Sequence, residues 1–239
     1  MSIASAYIQL ETALKKPGCP ICTIAKETGR RYLDNLLYEY VNDPLIRSCI
    51  EASWGFCQQH TRELMDFSIY SLGIAIINEG LLDNWAKHLT NPANFLSADN
   101  KSSFPRLLKR HSQEGPGSKL AAALKPTNSC PACRSEEEIT QTILRELNYQ
   151  VAANDGNITA LYDKSPGLCL PHFRRAIALA ENLASVKMLV QLQLKKIQAL
   201  QHELKEFIRK QDYRFIDEPR GQEKDSWRRS LTLLAGYAT

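Results

Sequence analysis

A pattern of cysteines, histidines and glycines that occurs twice constrains this chain more than any other feature. Cys19-Pro20-Ile21-Cys22 is followed by Gly55-Phe56-Cys57-Gln58-Gln59-His60. The same C-P-x-C and G-x-C-x-x-H arrangement returns as Cys130-Pro131-Ala132-Cys133 and Gly167-Leu168-Cys169-Leu170-Pro171-His172. The offset is 111 from Cys19 to Cys130 and 112 from His60 to His172. Neighbouring positions keep this register: Leu36 and Tyr38 match Leu147 and Tyr149 at 111, while Asn42, Asp43, Ser53 and Gly55 match Asn154, Asp155, Ser165 and Gly167 at 112. One extra residue in the second copy, opposite positions 38–42, accounts for the change. So many matches in one register mark an internal duplication. The sequence therefore predicts two tandem homologous modules, residues 1–95 and 118–215, joined by a basic linker, 96–117, and followed by an amphipathic tail, 216–239.

Three thiolates and one imidazole form the closed tetrahedral shell typical of structural zinc. The predicted ligands are Cys19, Cys22, Cys57 and His60 in the first half and Cys130, Cys133, Cys169 and His172 in the second, with two Zn2+ per chain. The 34 and 35 residues between the paired motifs exceed finger and ribbon spacings, which argues against an ordinary DNA-reading finger. An iron–sulfur cluster, or thiol redox chemistry at the C-P-x-C helix starts, is the alternative use of these thiolates. Cys49 matches Leu161 and is expected to be an apolar filler, and His88, His111 and His202 lack partners at ligand spacing. The ligands are expected to meet within each half. A helix from Cys22 to Val41 travels about 30 Å, and a short helix plus four extended residues bring the chain back about 28 Å.

The pattern between the motifs is helical. Ile24, Ala25, Tyr32, Leu36, Leu37, Tyr40 and Val41 fall on one face, as do Ile139, Ile143, Leu144, Leu147 and Val151 in the second copy. Pro44, following Asn42-Asp43, suits the first turn of a short helix to Ala52. One helix is predicted to run unbroken from Cys57 to Trp85, and another from Phe173 to Lys210, about 57 Å long. The latter carries Leu183, Val190, Ile197 and Leu204 at seven-residue intervals, with Gln193 as a polar interruption. These long helices are expected to pack on each other, or to offer a seam to a protein partner or a second copy. In the tail, Asp225 and Ser226 are candidate caps for a helix containing Trp227, Leu231 and Leu234. The predicted fold class is all-α.

Composition excludes little beyond this. With 44% hydrophobic and 23% charged residues the chain is of ordinary globular type. A formal net charge of +4 permits nucleic acid without requiring it. Lys101 to Lys125 holds six basic residues against Glu114, read as a solvated linker before a phosphate-binding strip. The N-terminus lacks a signal-peptide pattern and no apolar run reaches bilayer length, so the expected location is the cytoplasm, without a membrane. G-x-S-x-G, H-E-x-x-H and Walker motifs are absent, and a fully ligated Cys3His ion has no open position for water. Both points lean against an enzyme.

The motif runs, together with Leu36 to Pro44 and the tail residues Asp212-Tyr213-Arg214 and Asp225-Ser226-Trp227, resemble a prokaryotic family of unknown function with duplicated C-P-x-C and G-x-C-x-x-H motifs. The resemblance covers nearly the whole chain and implies metal binding by the same eight residues. The function expected from the residues is an interaction, adaptor or regulatory module with two structural zincs. An iron–sulfur or thiol redox protein, or a nucleic-acid-binding protein, stands as the alternative.

Overall fold

Each long motif-bearing helix begins where proline directly follows a cysteine. Proline has no N–H to leave unpaired and its φ is already helical, so it starts a helix cheaply. Pro20 opens α2 (Pro20–Glu39) and Pro131 opens α7 (Pro131–Ala152). Each is followed by a shorter helix with an aspartate cap. The Asp43 carboxylate accepts from the backbone N–H groups of Leu45 and Ile46, both at 2.9 Å, to start α3 (Pro44–Ala52). Asp155 accepts from Ile158 N–H at 2.7 Å to start α8 (Gly156–Lys164).

The computed structural model describes residues 3–90, 117–215 and 217–236, and among these no residue forms a strand. The remaining helices are α1 (Ile3–Leu14), α4 (Gln58–Met65), α5 (Ser71–Thr90), α6 (Ser118–Ala123), α9 (Leu170–Ala178), α10 (Leu183–Arg209) and α11 (Ser226–Ala235). The all-α expectation holds. The basic stretch 101–116 and His111 lie outside the described residues.

Two of the predicted long helices are broken. The first becomes α4 and α5: the chain bends by 91° at Asp66-Phe67, between Gln58–Met65 and Ser68–Thr90, and a 3-10 turn at Ser68–Tyr70 leads into α5. The second becomes α9 and the 27-residue α10, because the Asn182 side chain accepts from Ser185 N–H at 2.8 Å and caps a new helix. The buried face of α10 is Ser185, Leu189, Leu192 and Gln193. The heptad stripe lies off that face: Leu183 is 66%, Val190 42% and Ile197 45% exposed. No single described helix is long and apolar enough to cross a membrane.

The compact units do not follow the order of the repeats. Unit 1 comprises residues 1–28 and 135–239, and unit 2 comprises residues 29–134. Unit 1 has a core in which Leu10, Ile21 and Ile24 pack with Ile143, Leu144, Leu147, Ile158, Tyr162 and Leu189. Unit 2 has its own core of Leu33, Leu36, Leu37, Ile50, Leu64, Phe67, Ile77 and Ala132. Burying one such Leu, Ile or Phe side chain contributes roughly 1.5–3 kcal/mol, so each unit has an independent apolar reason to be compact.

Candidate metal centres

Every candidate ligand sits at a helix start. Cys19 and Cys130 immediately precede α2 and α7, with Cys22 and Cys133 in the first turns. Cys57 and Cys169 occupy the capping positions of α4 and α9 in extended backbone, φ −67° in both, and His60 and His172 lie one turn in. In unit 1 the ligand atoms of Cys19, Cys22, Cys169 and His172 all lie within 4.8 Å of one another, and in unit 2 those of Cys57, His60, Cys130 and Cys133 do the same.

All eight predicted residues are thus brought together, but not in the expected groups. Each C-P-x-C pair joins the C-x-x-H pair of the other repeat. The turn before Cys57 is tighter than the four extended residues expected there. Trp54 and Gly55 instead have φ of 54° and 92°, and Gly55 N–H donates to Ile50 C=O at 2.9 Å. The nine residues of α3 span about 14 Å, against about 30 Å for the 20 residues of α2. In unit 2 the approach to Cys130 is pinned elsewhere: the N–H groups of Thr127 and Asn128 donate to Ala52 C=O at 2.9 and 3.0 Å.

The spacing suits one tetrahedral ion. With Zn–S of about 2.3 Å and Zn–N of about 2.0–2.1 Å, the edges of a tetrahedron are about 3.8 Å between sulfurs and about 3.5 Å between sulfur and nitrogen. In unit 1 the Cys22 and Cys169 sulfurs are 3.7 Å apart. The His172 Nδ1 lies 3.6, 3.3 and 3.1 Å from Cys19, Cys22 and Cys169. In unit 2 the Cys57 and Cys133 sulfurs are 3.5 Å apart, and His60 Nδ1 lies 3.2, 3.6 and 3.4 Å from Cys57, Cys130 and Cys133. None of the seven cysteines forms a disulfide.

Electrostatics favour a cation at both places. Three thiolates around a divalent ion leave one net negative charge, which the positive ends of two helices in each cluster offset. Hydrogen bonds from Cys169 and Cys22 hold the Cys19 thiol below its ordinary range, whereas the same kind of contact with Cys169 and Cys19, plus burial, pushes Cys22 above it. Burial raises Cys130, but hydrogen bonds from His60 and from the backbone N–H groups of Cys133, Cys57 and Ala132 outweigh it and bring the thiol to about 6. Burial and the neighbouring Cys57 push Cys133 up. Burial lowers His172, but its hydrogen bonds to Cys169 and Cys19 prevail and raise it to about 9. Crowded thiols compete for one proton-free state, and a bound cation lets all of them ionise.

Support for the unit 1 centre includes residues that the motif reading did not identify. The buried Gln193 amide clamps the backbone just before Cys169: its Nε2 donates to Leu168 C=O at 2.9 Å and its Oε1 accepts from Leu168 N–H at 3.0 Å. Tyr162 Oη–H donates to the same Oε1 at 2.5 Å. At the 112-residue offset these two residues match Leu81 and Ile50, so unit 2 carries an apolar pair where unit 1 carries a polar one. The signal for Gln193 was its polarity within an apolar stripe. Gly236, with φ of 78°, closes over the same centre. A Cβ there would lie 3.0 Å from the Cys169 sulfur and 3.3 Å from that of Cys22. Cys49 belongs to neither cluster, and His88 Nδ1 contacts Asn84 C=O at 2.9 Å.

Fold and site define an all-α protein with two Cys3His-type groups able to hold metal ions. The chain belongs to DUF6062, a family of unknown function whose model matches residues 2–239. It is also similar to an uncharacterized 23.9 kDa protein in the xynA 3′ region of Caldicellulosiruptor sp. (strain Rt8B.4). That similarity is 23% identity over 223 residues, covering 93% of this chain and 97% of the relative. No solved structure matches.

Proposed function

We propose that the protein is a two-zinc helical adaptor in which each metal ties a C-P-x-C helix start of one repeat to a C-x-x-H helix start of the other. The observation that carries this reading is the pair of four-atom clusters whose edges, 3.1–3.7 Å where hydrogen-bond contacts exist, match those of a tetrahedron around a single ion. A space bounded by atoms all within 4.8 Å suits one ion better than a polynuclear iron–sulfur core. Zinc is favoured because it has no redox cycle and accepts a closed tetrahedral set of sulfur and nitrogen donors, which suits a staple. The adaptor role is supported by apolar side chains left exposed on α5 and α10, among them Leu72, Leu82, Leu183 and Leu194. Metal analysis with an optical spectrum on anaerobically purified protein tests the reading. Two zincs per chain and no visible absorption are expected; iron with sulfide and broad visible bands overturns it.

A further inference from the structure

A cavity of about 510 Å3 lies beside the first metal centre, within unit 1. The turns presenting Cys19 and Cys169 contribute to it on one side, and α10 and α11 on the other. Its volume falls in the range of small-molecule sites, roughly 300–1,000 Å3. Pro166, Leu200 and Leu233 give it an apolar surface.

The charges in its lining are unbalanced. Its two acids, Glu203 and Asp225, are both taken up by Arg229, with the Arg229 Nε 2.9 Å from Asp225. That leaves Lys164, Lys196 and Arg228 around the apolar surface. Lys196 leans on the backbone oxygen of Asp163, with the Asp163 carboxylate 3.9 Å away. Arg228 lies over the Trp227 ring at 4.9 Å, a contact that does not neutralise its charge, and among the described residues it makes no ion pair.

We propose that this cavity binds a small amphipathic anion, an aromatic or acyl body bearing one carboxylate or sulfonate group. The apolar body lies against Leu200 and Leu233, and the anionic head faces Lys164, Lys196 and Arg228. A ligand seated there touches the backbone that carries two ligands of the metal centre, so occupancy and metal retention at that centre support each other.

The test titrates zinc-loaded full-length protein with 8-anilinonaphthalene-1-sulfonate and with its neutral analogue N-phenyl-1-naphthylamine. One saturable sulfonate site per chain is expected, displaced by decanoate and at least about tenfold tighter than the neutral amine. Lys164→Glu with Arg228→Glu weakens sulfonate binding about tenfold or more and leaves the amine unaffected. Ala199→Trp fills the cavity from an exposed position and removes both. Val190→Ser with Ile197→Ser, on the exposed stripe of α10, changes neither. Equal binding of the two probes, binding that survives Ala199→Trp, or binding lost with the stripe substitutions overturns the proposal. Should Ala199→Trp fail to fold, the charge-reversal pair decides alone, since both of its positions are exposed. Metal content measured on the same samples separates failure of this site from failure of the zinc reading.

Discussion

At the residue scale, the sharpest difference between the two centres is Gln193. Its amide satisfies both backbone groups of Leu168 and the Tyr162 hydroxyl, all of them buried. Gln193→Leu leaves Leu168 C=O and the Tyr162 hydroxyl without this partner, with Leu168 N–H keeping only its 3.4 Å contact to Tyr162 Oη, and each unsatisfied buried polar group costs about 1–3 kcal/mol. A loss of about 3 kcal/mol in chemical denaturation is expected, with part recovered in Tyr162→Ile/Gln193→Leu, the pair that unit 2 uses at Ile50 and Leu81. Additive effects in that double-mutant cycle would sink the idea of a coupled clamp. Gly236 makes a second residue-scale case. Its φ of 78° disfavours any side chain, and a Cβ would crowd two ligand sulfurs. Gly236→Ala should cost about 1–3 kcal/mol of local strain. It should speed the release of one of the two metal equivalents to a chromogenic chelator, leaving the other unchanged. The eight candidate ligands that the fold gathers stand out in the sequence because residue types able to bind a metal recur there at a fixed spacing. Gln193 was visible only as an anomaly, since a buried amide gains its meaning from a backbone 25 residues away.

At the element scale, helix starts were easier to read than helix breaks. Pro44 after Asp43 marked α3 to the residue, because an aspartate cap and an N1 proline are local chemistry. The break before α10 lacks glycine and proline, and rests on one Asn182 cap that competes with helix continuation. In the tail, Asp225 was expected to cap α11, but its carboxylate instead meets Arg229 at 2.9 Å. What holds the segment before α11 is Glu223, whose carboxylate accepts from Lys210 Nζ at 2.8 Å and from Gly221 N–H at 2.9 Å. The Lys210 hydrogen bond, with that backbone N–H, lowers the Glu223 carboxyl from 4.5 to about 2. A folded-state value below the unfolded one means that this contribution is fully present above about pH 4.5 and is lost as the pH falls towards 2. Trp227 emission in a Trp54→Phe/Trp85→Phe background should therefore report tail release across that window. Glu223→Gln should flatten the acid dependence; an unchanged profile would remove Glu223 from the account.

At the scale of the whole molecule, the fold turns a duplicated sequence into two centres that each draw on both copies. The sequence could not reveal this partition, because either grouping yields three cysteines and one histidine with the same motif order. The partition belongs to the tertiary path, in which the chain turns at positive φ at Trp54-Gly55 before Cys57 and the N–H groups of Thr127 and Asn128 tie the approach to Cys130 to Ala52 C=O. The two groupings predict opposite outcomes for paired substitutions. Cys22 and Cys169 share a centre, as do Cys57 and Cys133, whereas Cys22 and Cys57 do not. Cys22→Ser/Cys169→Ser should lose one metal and keep the other, since both changes strike unit 1. Cys22→Ser/Cys57→Ser should lose both, although both changes lie in the first repeat. Grouping within each repeat reverses these results, so metal content of the two double variants decides between them. Removing one partner of a four-ligand site leaves the remaining thiolates crowded without their cation, so the second substitution in the same site should add little destabilisation. The second substitution in the other site should cost as much as the first.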